Sequence, residues 1–271
     1  MRRLAIIGCG ALATEIVKSI VTGKLRNYKV VALLDKNKKR SRSLAEILGN
    51  KELSVETIEE LLNRRPDIVV EVASPQAVRK YADRILEAGA TLIVMSSGGL
   101  LDAQFLARLR EIAKKKRTKI IVPSGAIGCI DVAKALSNVG GEVRVKLITV
   151  KKASAFRDGD LEKLDLRRED IKMKTLVFSG KASDAIKFFP TMINVAATLS
   201  IALKHDIDVE IYADPTIEKT VHQIIIDSPA TRISLKMENM HHPENPRTSY
   251  IAALSLIKTL QKLDEELEVG T

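Results

Sequence analysis

This sequence predicts a doubly wound α/β fold, with a parallel sheet in the first half of the chain and an α+β domain in the second. Three observations carry that expectation. Up to about residue 123, short continuous apolar runs alternate with amphipathic stretches of helical period, the pattern of strands buried on both faces and joined by crossover helices. The first of these runs leads directly into Gly8-x-Gly10-x-x-Ala13, the turn of a Rossmann-type βαβ unit. Beyond residue 126 the alternation stops, and several strands follow in close succession with helices around them, as in a mixed or antiparallel sheet covered on one face.

The elements follow in order. Leu4, Ile6 and Ile7 read as the first buried strand. Gly8 permits the tight turn, Gly10 lets a pyrophosphate approach the main chain, and Ala13 is small enough for close helix–strand packing. Ala13, Ile16, Val17, Ile20 and Val21 then form one helical face. The N–H groups at its start, around Ala11 and Leu12, face phosphate together with the positive end of the helix dipole. Val30 to Leu34 is the second strand and ends on Asp35, whose carboxylate is placed to accept from the adenosine ribose hydroxyls.

Helical stretches are expected at 40–48 and 55–64, a strand at Asp67 to Ala73, and a helix from Ser74-Pro75 with a stripe of Val78, Tyr81, Ala82, Ile85 and Leu86. Ala90 to Met95 is a strand running into Ser96-Ser97-Gly98-Gly99; a helix over 102–116 and a strand over Lys119 to Val122 complete this half. Ligands sit at the carboxyl ends of such strands, so Ala73, Ser74, Ser97, Gly98 and the Ser124-Gly125 turn join the glycine loop as candidate binding residues.

In the second half, Val143 to Lys152 is a long strand and 157–174 reads as an exposed, charged excursion. Thr175 to Phe178, Val209 to Tyr212, Val221 to Ile226 and Arg232 to Met237 are strands. Met192, Val195, Ala196, Leu199 and Leu203 mark a helix. From Thr248 the tail reads as a helix carrying Leu254, Ile257, Leu260, Leu263 and Leu267, expected to return to the first domain. The expected domains are therefore 1–123 with 245–271 for dinucleotide, and 124–244 for substrate and dimerisation.

Composition narrows the function classes. There is no apolar run long enough to span a bilayer, and the chain enters a strand at once, with no room for a signal peptide. Cys9 and Cys129 lack metal-ligand spacing, so no metal is expected and a reduced, cytoplasmic compartment fits. The net charge of +10 raises nucleic acid as a partner, but the basic residues are dispersed and aromatics for base stacking are scarce, with no Trp, five Phe and four Tyr. A basic surface equally suits an anionic cofactor and an anionic substrate.

Of the four histidines, His205 reads as a helix C-terminal cap, and His241 and His242 as residents of a polar surface loop. His222 lies within a strand on the face of Ile224 and Ile226. Strand position alone favours an imidazole satisfied by a neighbouring carbonyl over a catalytic one.

Several segments together resemble the archaeal and bacterial L-aspartate dehydrogenases: IIGCGALA, DIVVEVASPQAV, MSSGGLLD, VPSGAIGCIDVAKAL, FSGKASDAIKFFPTMINVAATLSIA, ADPTIEKTVHQI and ENMHHPENPRTS, in family order over nearly the whole chain. The resemblance implies oxidation of L-aspartate with NAD or NADP to iminoaspartate, which hydrolyses to oxaloacetate and ammonia and could feed NAD synthesis. It implies His222 as the catalytic residue, a small dicarboxylate as substrate, and a homodimer. It brings in Ala126 and Asn194 beside the nicotinamide, and Ser124, Gly125, Asn194 and Lys152 as contacts to substrate, although a solvated strand-end role for Lys152 stays open. Asn245 and Thr248 read as helix-start residues or ligand contacts. Asp35 favours NAD, while the Lys36, Lys38, Lys39 and Arg40 cluster leaves room for NADP.

The chain departs from the family pattern at Thr220, where Asn is frequent, at Lys151-Lys152, where Arg-Lys is frequent, and over 157–174. Sugar dehydrogenases of similar layout carry Glu-Lys-Pro where this chain reads Met95-Ser96-Ser97-Gly98, and no paired-histidine motif of the dihydrodipicolinate reductases is present. A nucleotide-binding regulator without turnover, or a dehydrogenase of another small acid, is the alternative.

Overall fold

The apolar runs of the first half become one parallel sheet. A computed structural model describes residues 1–271 apart from Thr191, Glu244, Glu268 and Thr271. The chain divides into two compact units, Met1–Pro123 with Ala253–Glu268, and Ser124–Ala252 with Val269–Thr271. Glu244, where the sequence places the end of the second domain, and the terminal Thr271 lie outside the described residues.

The first unit runs β1 (Arg2–Ile7), α1 (Ala11–Val21), β2 (Tyr28–Leu34), α2 (Lys38–Ile47), β3 (Ser54–Val55), α3 (Ile58–Asn63), β4 (Ile68–Glu71), α4 (Pro75–Glu87), β5 (Thr91–Val94), α5 (Ala103–Lys116) and β6 (Ile120–Ile121). Its six strands lie in the order β3-β2-β1-β4-β5-β6, every pair parallel. The chain builds outward from β1 through β2 to β3, then returns to β1's other side as β4. That reversal is the topological switch point at which such sheets bind ligands. Ile7 and Glu71 are partners there, so the two strands end side by side.

Helix starts follow their side chains. Asn37, Thr57, Ser74 and Asp102 accept from Lys39, Glu60, Ala77 and Phe105 N–H groups and cap α2, α3, α4 and α5. The Thr57 cap and the pairing of Ser54 and Val55 as β3 explain why α3 begins at Ile58 rather than at 55.

The second unit runs α6 (Ile130–Leu136), β7 (Arg144–Lys152), α7 (Asp158–Glu162), β8 (Thr175–Lys181), α8 (Ala182–Phe188), α9 (Asn194–Leu203), β9 (Asp208–Asp214), β10 (Thr220–Asp227), β11 (Arg232–Asn239), β12 (His241–His242) and β13 (Asn245–Ser249). Five strands order as β11-β10-β7-β9-β8; β7 and β9 are parallel and the other pairs antiparallel. Val145, Leu147, Val209, Ile211, Ile224 and Ile226 share one core with Ala133, Leu136, Ala185, Ala196 and Leu199 from α6, α8 and α9, so the helices cover one face. Phe156, Phe178, Phe188 and Phe189 pack ring to ring in it, with centroids 5.8–6.4 Å apart.

Three expectations fail here. The 157–174 stretch is not simply exposed: Leu161 and Ile171 are buried in the core beside Phe156, and Leu164 and Leu166 pack against it. Charged residues between these anchors hid a period too irregular for one helix. His242 is buried, not on the surface, and its ring stands edge-on to Tyr250 at 5.5 Å. The stretch around Asn245 and Thr248 is the strand β13, paired with β12, with Asn245 Nδ2 donating to Thr248 Oγ1 at 3.1 Å; neither residue starts the helix.

α10 (Tyr250–Lys262) follows. From Ala253 it belongs to the first unit, where Leu256 and Leu260 are buried with Leu4, Ile16 and Leu33. Tyr28 Oη donates to Leu260 O at 2.6 Å, and Arg2 pairs with Asp264 at 2.6 Å. The stripe read from the sequence is out of phase at its ends, because Leu254 is 41% and Leu267 75% exposed while Ala253 and Leu256 face inward.

Candidate active site

At the switch point of the first unit the glycines do different work. Gly8 has φ +94°, and a Cβ there would lie 2.8 Å from the Ala73 backbone, so this position is closed to side chains by conformation and by contact. Gly10 has an ordinary φ of −93°, and a Cβ would meet no atom within 4 Å. Nothing in the unit's own packing requires glycine at position 10; the space over it is open. It is also the N-cap of α1, with no side-chain cap and no acidic residue in the first turn. The N–H groups at the start of the helix, around Ala11 and Leu12, therefore point their dipole at that open space.

Asp35 ends β2 beside the same turn. Its Oδ2 accepts from Cys9 N–H and its Oδ1 from Asn37 N–H, each at 2.7 Å. These bonds fix the carboxylate, and each oxygen retains a lone pair for a ribose hydroxyl. An uncapped helix start, a space that a side chain would fill and an oriented acid at the next strand end fit a dinucleotide. Cys9 itself is no nucleophile: burial, with Asp35 nearby, pushes its thiol up to about 12.

One residue that the sequence reading passed over organises the remaining loops. Glu71, the buried last residue of β4, accepts from Ala73 N–H (2.7 Å), Ser74 N–H (2.8 Å), Ser96 N–H (3.1 Å) and Ser96 Oγ–H (2.9 Å). It thereby ties the loop of Ala73 and Ser74 to the turn of Ser97 and Gly98. Burial raises its carboxyl above the usual range while those four donors oppose the shift. Ser74 itself is the α4 cap, which occupies its hydroxyl oxygen with Ala77 N–H at 3.2 Å.

In the second unit His222 is buried on the helix-covered face of β10, opposite Thr149 of β7 and Met237 of β11. Its Nδ1 is 3.0 Å from Thr149 Oγ1. That partner is a side-chain hydroxyl, not the backbone carbonyl that strand position alone favours. Burial, followed by the Lys151 charge, pushes the imidazole down to about 3, so the ring is neutral at pH 7. When Nδ1–H donates to Thr149, Nε2 presents its lone pair.

The loop bearing Ser124, Gly125 and Ala126 is pinned next to it. Asn239 Nδ2 donates to Ala126 O at 2.9 Å, and Gly128 N–H meets Met237 Sδ at 3.0 Å. Met237 faces His222 and Asn239 faces Thr220 across the β10–β11 pair. Asn194 is the half-buried first residue of α9, and Thr198 Oγ donates to its carbonyl.

Lys152 does not turn toward this cluster: its side chain is 38% exposed and its Nζ pairs with Glu218 at 3.0 Å. Among the described residues no three His, Cys, Asp or Glu side chains gather as a metal site, and no helix is long and apolar enough to cross a membrane.

Comparison with known proteins gives the family and the fold. The family model for the aspartate dehydrogenase C-terminal domain matches residues 131–263, and the model for the NAD-binding domain of homoserine dehydrogenase matches residues 8–123. The L-aspartate dehydrogenase of Methanocaldococcus jannaschii is 38% identical over 271 residues, with 100% of both chains covered. The chain belongs to the L-aspartate dehydrogenase family. The L-aspartate dehydrogenase of Methanosarcina barkeri is 37% identical, again over 100% of both chains. Among solved structures, aspartate dehydrogenase from Thermotoga maritima matches with TM-score 0.77 and 28% identity over 100% of both chains. A hyperthermophilic archaeal homoserine dehydrogenase in complex with NADPH matches with TM-score 0.60 at 12% identity, which shows a shared fold. The doubly wound sheet and mixed-sheet second unit are those of the family, and the first unit takes a pyridine nucleotide.

Proposed function

We propose that this chain oxidises L-aspartate to iminoaspartate, which hydrolyses to oxaloacetate and ammonia. The observation that carries the reading is His222: a buried, neutral imidazole held by Thr149, in a chain that belongs to the L-aspartate dehydrogenase family over its full length. A bound nicotinamide supplies the acceptor for the hydride that leaves the substrate Cα. The amine gives up a proton as the C=N bond forms, and water then adds to that carbon before ammonia leaves. His222 takes the proton at Nε2, with Thr149 keeping the ring in one orientation. An anionic substrate beside the ring raises its basicity from the low value set by burial and Lys151, towards the range useful for proton transfer. Ser124, Gly125, Ala126 and Asn194 hold substrate and nicotinamide through N–H and side-chain donors.

Asp35 favours NAD over NADP, with NADP turned over more slowly. The reading includes a homodimer, a reduced, cytoplasmic compartment that suits two cysteines without disulfide or metal-ligand spacing, and, from the family resemblance, delivery of iminoaspartate to NAD synthesis.

The test is NAD reduction at alkaline pH with L-aspartate and with L-glutamate. Glutamate's extra methylene displaces one carboxylate and is expected to lower the rate by ~10²-fold. His222→Ala is expected to lower kcat by about 10²–10⁴-fold with cofactor affinity kept. Equal turnover of both amino acids, or a His222→Ala enzyme within about threefold of the parent, overturns the reading.

A further inference from the structure

We propose that Lys151, on the same sheet face as His222, is the cation that receives a carboxylate of the substrate; this rests on the reading of the His222 site as the place where a dicarboxylate reacts. The register of the sheet carries the argument. Along β7, Val145, Leu147 and Thr149 face Ile226, Ile224 and His222 on one side and Val209 and Ile211 on the other, and Lys151 continues this row opposite Ala213. All of these neighbours but Lys151 itself are buried. Lys151 thus lies on the helix-covered side of the sheet, two residues and about 7 Å along the strand from the Thr149 that holds the histidine. Its charge reaches the ring, since it is one of the two causes that lower His222's basicity.

A lysine in such a place needs an anion, and the acids around it are engaged elsewhere. Glu210 pairs with Lys146 at 2.7 Å and accepts from Tyr212. Asp214 accepts from Thr216 N–H and Oγ–H at 2.8 and 2.7 Å. Glu218 takes Lys152. Lys151 has no ion-pair or hydrogen-bond partner among the described residues, and its surroundings alone push its ammonium down to about 8. A desolvated cation without a counter-ion is costly to a folded chain. Substrate carboxylate bound there restores the missing charge and gives a charge-assisted hydrogen bond. Lys152, one residue on, points to the other side and is spent on Glu218, so strand alternation separates a binding lysine from a surface one.

The experiment is calorimetric titration of succinate, which carries two carboxylates and no amine to oxidise, into the protein saturated with NAD. The parent is expected to bind. Lys151→Met is expected to weaken succinate by about 10–100-fold, the loss of a hydrogen bond to a charged group. Lys151→Arg, which keeps the cation, is expected to bind succinate more tightly than Lys151→Met and less tightly than the parent, because its fork differs in shape from an ammonium. NAD affinity is expected to be unchanged in both, whereas a damaged fold lowers it. Undiminished succinate binding in Lys151→Met overturns the proposal; so does loss in Lys152→Met without loss in Lys151→Met, and so does a parent that binds no succinate. A parent that binds succinate through Lys151 and fails to oxidise aspartate overturns the proposed reaction and leaves this assignment standing.

Discussion

His222 and Lys151 are both held in their less charged direction, and each leaves a mark on stability with its own pH window. His222 has a folded value of about 3 against an ordinary 6.5, so the unfolded chain binds the extra proton between those values. Stability is therefore lost as pH falls from 6.5 towards 3. His222→Gln is expected to flatten that part of the acid limb when urea midpoints are measured against pH. Lys151 has a folded value of about 8 against 10.5, so below pH 8 the folded state carries the full penalty of the desolvated cation. Lys151→Met is expected to be more stable than the parent at pH 7, with the advantage shrinking between pH 8 and 10.5. The sequence shows His222 as a candidate because Ile224 and Ile226 fix which way it faces. The same alternation through Val145, Leu147 and Thr149 places 151 on the His222 face and 152 on the other, whereas the sequence reading names Lys152, and not Lys151, as the carboxylate contact. Glu71 was hidden for a different reason: nothing local in Val-Val-Glu-Val says that four donors from two loops converge on one carboxylate.

At the scale of elements, the turn between β1 and α1 offers a paired experiment. Gly10→Val is expected to keep the circular dichroism of the parent and lose cofactor binding, because the structure leaves that Cβ in open space. Gly8→Ala is expected to lose stability by more than about 1 kcal/mol, because its positive φ and the 2.8 Å approach to Ala73 leave no room. An outcome with the two effects exchanged would remove the nucleotide from this turn. The end of β2 and start of α2 set the second comparison. Lys38 is committed to Glu56 at 2.6 Å, whereas Arg40 sits near enough for its charge to bear on Cys9. Asp35→Ala is expected to shift kcat/KM towards NADP, and adding Arg40→Ala to reverse that shift; measured ratios that do not move place the adenosine end elsewhere. Strands and helices of the first half were legible because each is a continuous apolar run or a clean stripe. The 157–174 stretch was not, since its short helix and its anchors Leu161 and Ile171 are separated by charged residues that follow no period. The β12–β13 ribbon, two residues against five, was too short to leave a pattern.

At the scale of the molecule, the two cores were readable as a change in the order of elements near residue 126, and the return of the tail as a helix of spaced leucines. Which leucines turn inward was not readable, because Leu254 and Leu256 are both apolar and only packing on Leu4 and Ile16 selects Leu256. Leu260→Ala is expected to destabilise the nucleotide-binding unit by about 2–5 kcal/mol, the usual loss for a fully buried leucine. Leu254→Ala, at an exposed site, is expected to change stability by less than about 0.5 kcal/mol. Thermal melts of the two variants read the difference directly, and bound NAD is expected to recover part of the Leu260→Ala loss by mass action.

The clasp of Tyr28 on Leu260 and of Arg2 on Asp264 has a consequence for the order of birth of this protein. A ribosome makes Arg2 and Tyr28 well before Leu260 and Asp264, with the whole of the second unit between them. Domains tend to form as they emerge, the N-terminal one first. Here the leading unit must wait, with its hydrophobic floor uncovered, until the whole intervening unit has been synthesised. Until α10 closes, Leu4, Ile16 and Leu33 lack the cover of Leu256 and Leu260, so a chain stalled short of Ala253 carries the glycine turn on an unfinished core.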